Sequence, residues 1–210
     1  MHKGLKVIEN LHELIPDREM FDKFSNMFAF YEPEEKQEFE FKDAIKILNQ
    51  GTEFDKSFSF GRKLNTLRAY ADGVSKDLHL KKGVTVLYHK PKSMEAIDNL
   101  QENGLDVQML TIPFNIQGTR IVAEPIVYNK ALHRSEHAKL NIPHETRHVY
   151  QNHTNTKTYA QGVYESEIDA VEYSLKFAKR YFDNFKGLSI GQIKAFAKEN
   201  CKIYQDIQFV

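Results

Sequence analysis

Apolar positions recur at helical spacing over the first third of the chain. Leu5, Ile8, Leu11, Leu14 and Ile15 lie three to four apart, and Phe21, Phe24, Met27, Phe28 and Phe30 continue an aromatic face. Together they predict helix over residues 5–31, with a second segment starting at Pro16-Asp17. The charged stretch 32–36 reads as a solvated first turn, with acids near a helix N-terminus. Phe39, Phe41, Ala44, Ile45, Ile47 and Leu48 form a further stripe that stops at Gly51. Phe54, Phe58, Phe60, Leu64 and Leu67 then close the helical section near Asp72-Gly73. Stripes with this spacing are core.

From Gly83 the period changes. Residues 84–88 are β-branched and aromatic and predict a strand, and 93–103 predict a helix ended by Gly104. Two further strands follow at 105–112 and 119–128, separated by a turn around Pro113, Asn115 and Gly118. Later, Tyr164, Ile168, Val171, Leu175, Ala178 and Phe182 alternate four and three apart, the buried seam of another helix. This order predicts an α+β fold: a helical N-terminal region over 1–75, then a mixed domain over 76–210.

The chemistry concentrates between these last elements, at His144-Glu145-Thr146-Arg147-His148 and Tyr164-Glu165-Ser166-Glu167-Ile168-Asp169-Ala170. Two histidines four apart on a helix share a face, which is how one Zn²⁺ is gripped from a single element. Leu140, His144, Arg147, His148 and Gln151 fall on one side of that helix, with Ala138, Ile142 and Val149 opposite. Pro143 either sits in the first turn of a helix capped by Asn141 or kinks a longer one. Glu165, Asp169 and Glu172 lie beside the downstream seam, so Glu165 and Asp169 can approach the same histidine pair. Two histidines and one carboxylate leave a metal position for water, the arrangement of a hydrolytic site. Glu167 lies about 200° round that helix from Glu165. It reads as solvent-facing or salt-bridged, and as the alternative ligand if the register differs.

The paired motifs resemble those of the gluzincins, zinc metallopeptidases, and their wording is most similar to small soluble minigluzincins. The likeness covers residues of roughly 120–185. It implies a zincin-like core, a small twisted sheet beside the motif helix and the ligand helix. It also implies Zn²⁺ held by His144, His148 and Glu165, with Asp169 accepting the distal N–H of a ligand imidazole. Glu145 would activate the zinc-bound water for hydrolysis of a peptide bond, and an oxyanion donor would come from His153, Tyr159 or Tyr173. The peptide would pair with an edge strand, for which Ile121-Val122-Ala123-Glu124 is the candidate. Arg147 has two readings, substrate clamp or ion pair, while His133 and His137 read as surface histidines. A second function stays open: a catalytically silent zincin-fold module that binds and inhibits a partner protein.

Composition narrows the partners. Lys+Arg and Asp+Glu both total 29, so no overall field recruits nucleic acid or an anionic membrane. No stretch has the length of a membrane span, and residues 1–14 lack the apolar run of a signal peptide. The single cysteine, Cys201, excludes an internal disulfide and suits a reducing compartment. The expectation is a cytoplasmic enzyme acting on a protein or peptide substrate, with residues 1–75 restricting access or docking a partner. Oligomeric state is left open.

Overall fold

A computed structural model describes residues 4–9, 22, 25–26, 28–81, 84, 86–92, 109–116, 120–127, 134–154 and 162–205. The fold is α+β. Five strands, β1 (Leu5–Val7), β2 (Phe28–Pro33), β3 (Leu87–Pro91), β4 (Met109–Ile116) and β5 (Arg120–Val127), form one sheet in the order β1-β2-β3-β5-β4. All neighbours are antiparallel except β3 and β5, which run parallel with Leu87 opposite Ile126. The described helices are α1 (Phe41–Asn49), α2 (Thr52–Ser57), α3 (Phe60–Asp77), α4 (Ser135–Thr154), α5 (Val163–Tyr181) and α6 (Ile190–Asn200). None of them is long and apolar enough to cross a membrane.

The helical reading of residues 5–31 is corrected at both ends, because β1 and β2 are strands that pair with Leu5 opposite Pro33. The determining spacing is Phe28-x-Phe30: both rings are buried while Ala29 and Tyr31 are only partly so, the alternation of a strand with one covered face. The predicted helix 93–103 lies outside the described residues, and β3 starts three residues later than its predicted counterpart. β4 runs on through Pro113 to Ile116 rather than turning there. Among the described residues β4 is an edge strand, where a residue without an N–H is tolerated. The strand expected at the edge, β5, instead has β3 on one side and β4 on the other.

The expected boundary between 75 and 76 falls inside α3. That helix is the centre of the core: Leu64, Leu67, Tyr70, Ala71 and Val74 are fully buried. They form one cluster with Leu48 of α1, Val86 and Tyr88 around β3, Ile142 of α4 and Phe177 of α5. Two glycines set the approaches. A Cβ on Gly73 would lie 2.0 Å from the Phe41 ring, so the residue expected to end the helix instead lets α1 cross it. A Cβ on Gly61 would lie 2.3 Å from the Gly4 carbonyl, which seats the start of β1 against the first turn of α3.

Pro143 lies inside α4, the longer of the two alternatives. It has no N–H for the carbonyl four residues back, that of Lys139. The hydroxyl of Tyr70, from the centre of α3, donates to that carbonyl at 3.0 Å. A tertiary hydrogen bond thus replaces the missing helical one and ties α4 to the core just before the histidine pair. Ala138, Ile142 and Val149 are buried on the inner side of α4, as their spacing predicts.

α5 departs from its expected seam over its N-terminal half. Tyr164, Ile168 and Val171 are only partly buried, while Leu175, Ala178 and Phe182 are buried as expected, together with Ser166, Ala170, Ser174 and Phe177. Ser166, Ala170, Ser174 and Ala178 are small and follow one another every four residues, so α5 presents a shallow face on which α4 can lie close. Near the histidines, backbone proximity takes precedence over the burial of Tyr164, Ile168 and Val171. The opposite end of the pairing is clamped by Asp77 of α3, which accepts from the Tyr173 hydroxyl at 2.8 Å and from both Arg180 guanidinium nitrogens at 2.8 and 2.7 Å.

Candidate metal centre

The i,i+4 spacing on α4 brings His144 and His148 together, with their Nε2 atoms 3.1 Å apart. The carboxylate that joins them is Glu167. Its Oε2 is 3.2 Å from His144 Nε2 and its Oε1 is 3.3 Å from His148 Nε2. The rotation of α5 explains the choice. Glu167 lies within about 60° of Ala170, on the side packed against α4, whereas Glu165 lies about 160° round the helix from Glu167. Glu165 is half-buried on the far side, and the structure does not bring it to the rings. The sign available in the sequence was the small-residue stripe 166, 170, 174 and 178, which marks the face of closest approach.

Asp169 is also placed differently from expectation. It forms a two-pronged ion pair with Arg147, Nε to Oδ2 at 2.7 Å and Nη2 to Oδ1 at 3.1 Å, which decides the open reading of Arg147. The guanidinium also stacks on Tyr150 and Tyr173, 4.6 and 5.3 Å from the ring centres. Facing the distal nitrogen of His148 is Gln151, whose Oε1 is 2.8 Å from Nδ1. Gln151 shares the histidine face of α4, three residues on, and was placed on that face by its spacing without being given a role.

Of the three expected oxyanion donors, two are described. Tyr173 bonds to Asp77. His153 sits about 140° round α4 from His148, and Tyr159 lies outside the described residues. Another tyrosine comes into range. The last described turn, Lys202–Tyr204, follows α6 and brings Cys201 and Tyr204 under the influence of Glu167. Burial, then the charges of Glu167, Cys201 and Glu145, push the Tyr204 hydroxyl up to about 12, so it stays protonated at neutral pH. Burial and Glu167 likewise push the Cys201 thiol up to about 12, so it is no thiolate. Nothing in the local sequence around Tyr204 signals this placement; it depends on the path of α6.

Electrostatics follow from the crowding of the cluster. Burial opposes a charge on His148, but hydrogen bonding and attraction from Glu167, with the added charge of Glu145, outweigh it and raise its pKa to about 9. Burial would raise Glu167, yet the hydrogen bonds from His144 and His148 hold its carboxyl well below the usual carboxylate range. The group is thus a carboxylate paired with a protonated His148, and a metal ion bound there would take the place of that proton.

The dimensions suit a zinc-sized ion. Donors about 2.0–2.1 Å from a tetrahedral Zn²⁺ stand about 3.3–3.4 Å from one another, against 3.1, 3.2 and 3.3 Å here. Among the described residues, His144, His148 and Glu167 are the group able to hold a metal. Their side chains keep 21, 16 and 19% of their surface exposed. Fold and site together define an α+β protein with a His-His-carboxylate cluster built on two packed helices. No family model matches this chain, and no curated protein or solved structure is significantly similar to it.

Proposed function

We propose that the protein is a zinc-dependent peptidase with a zincin-like core, in which Zn²⁺ is held by His144, His148 and Glu167. The supporting observation is the triangle of two Nε2 atoms and one carboxylate, spaced close to the donors of a tetrahedral zinc site. A bound Zn²⁺ supplies Lewis acidity toward a water molecule and a substrate carbonyl. Glu145, one residue beyond the first histidine and largely buried, takes the proton from the attacking water. The water oxygen bonds to the carbonyl carbon, the C–N bond breaks, and Glu145 delivers its proton to the departing amine. Tyr204, kept protonated by burial and by the charges of Glu167 and Glu145, is the candidate donor to the developing oxyanion.

Substrate binding is assigned to the sheet. α4 packs against β5 and β4, and β4 has a free-running edge among the described residues, able to pair with an extended peptide. This moves the substrate strand from Ile121-Val122-Ala123-Glu124 to β4. The substrate is a protein or peptide, and the single buried thiol suits a cytoplasmic setting.

The deciding experiment compares wild type with Glu145→Gln for zinc content and for cleavage of a denatured protein and a peptide library, read by mass spectrometry. Equal zinc in both, with cleavage in the wild type alone, is expected. Equal cleavage by the two would remove the peptidase reading. Stoichiometric zinc without turnover would favour the inhibitory module instead.

A further inference from the structure

Gln151 is fully buried, and all four of its amide hydrogen-bonding positions are filled. Its Nε2 donates to the Ser166 carbonyl at 2.9 Å and to Asp169 Oδ2 at 2.8 Å. Its Oε1 accepts from the Ser166 hydroxyl at 2.7 Å and faces His148 Nδ1 at 2.8 Å. The orientation of the amide is not free. A carbonyl and an ionised carboxylate are pure acceptors, so the end that meets them must be the NH₂ group. The end that meets His148 is therefore an oxygen, and the Nδ1 it faces must carry the hydrogen.

We infer that Gln151 is a positioning residue that relays Asp169 to His148, holding the imidazole in the Nδ1–H form so that its Nε2 lone pair is presented to a metal. The inference rests on the metal-centre reading and deepens it. Arg147 anchors Asp169, Asp169 orients the Gln151 amide, and the amide oxygen orients the ring. A neutral link suits the position. Asp169 is already paired with Arg147, and a second carboxylate at 151 would face both Asp169 and the Ser166 carbonyl, acceptor against acceptor. A partner on the distal nitrogen of a metal-binding histidine strengthens metal binding by roughly ten- to a hundredfold.

Zinc affinity, measured by competition with a chromophoric chelator, and the ¹⁵N and Nδ1–H signals of His148 in the zinc-loaded protein test the relay together. Gln151→Met, similar in shape but without the amide, should bind zinc roughly ten- to a hundredfold more weakly. It should also lose the protected Nδ1–H signal through exchange with water. Gln151→Glu should lose as much, and adding Asp169→Asn should recover part of the loss by restoring a donor opposite the new carboxylate. Gln151→Met with wild-type affinity and an unchanged Nδ1–H signal would overturn the relay while leaving the metal centre intact. If Gln151→Met does not fold, the wild type still decides: zinc on Nδ1 of His148, or Nδ1 without a proton, would overturn the proposal. A wild type that takes up no zinc would end both this inference and the function on which it rests.

Discussion

Glu167→Gln is the substitution that most directly separates the structural assignment from the one suggested by the motif alone. The side chain keeps its length and shape but loses the charge that faces His144 and His148 at 3.2 and 3.3 Å. Four-ligand zinc sites bind with about 10–16 kcal/mol, or about 2.5–4 kcal/mol per ligand. An amide oxygen remains able to coordinate weakly, so the expected loss is about 2–3 kcal/mol, roughly a 30- to 140-fold fall in zinc affinity. Glu165→Gln, on the far side of α5, should leave affinity within about twofold, because a half-exposed group away from the cluster supplies neither ligand nor nearby charge. Chelator competition on both variants, with circular dichroism to confirm folding, measures the contrast. Zinc retained at full affinity in Glu167→Gln but lost in Glu165→Gln would refute the helix rotation argued above and return the ligand role to Glu165.

Two other consequences concern the scaffold. Tyr70→Phe should leave the buried Lys139 carbonyl without a donor, costing about 1–3 kcal/mol, or about 2–12 °C in Tm for a chain of this size. An unchanged Tm in thermal unfolding would mean that the proline in α4 is accommodated some other way. At Asp77, burial works against the charge, and the hydrogen bonds from Arg180 and Tyr173 outweigh it, so its pKa is lowered from 3.8. The resulting stability is present above the unfolded value and is lost as pH falls through the lower folded one. Asp77→Asn should therefore be less stable than wild type at neutral pH, by about 1 kcal/mol given the partial exposure. The gap should narrow below about pH 4. Denaturant titrations of both proteins across acid pH would show a constant gap if the clamp carries no charge-dependent energy.

Short-range regularities in the residues were enough for some of this structure. The α+β class follows from the change of apolar period near Gly83, and the shared face of His144 and His148 follows from helical spacing, which no partner can alter. The inward side of α4 was equally legible, since Ala138, Ile142 and Val149 can be buried together only one way. Phe28 and Phe30 show the limit: within an aromatic-rich stretch their two-residue spacing was overridden by a longer helical pattern, and only pairing with β1 and β3 settled them as a strand.

What tertiary structure alone decided was rotation and partnership. A helix can turn about its axis without changing its own hydrogen bonds, so the heading of Glu165 or Glu167 is set by the surface against which α5 packs. That surface favoured the small residues Ser166, Ala170 and Ser174 over Tyr164, Ile168 and Val171. The same long-range packing supplied Tyr70 to the carbonyl stranded by Pro143, Ser166 and Asp169 to the Gln151 amide, and Tyr204 to the field of Glu167. None of these contacts is encoded in local spacing, because each joins residues whose meeting depends on how whole elements stack.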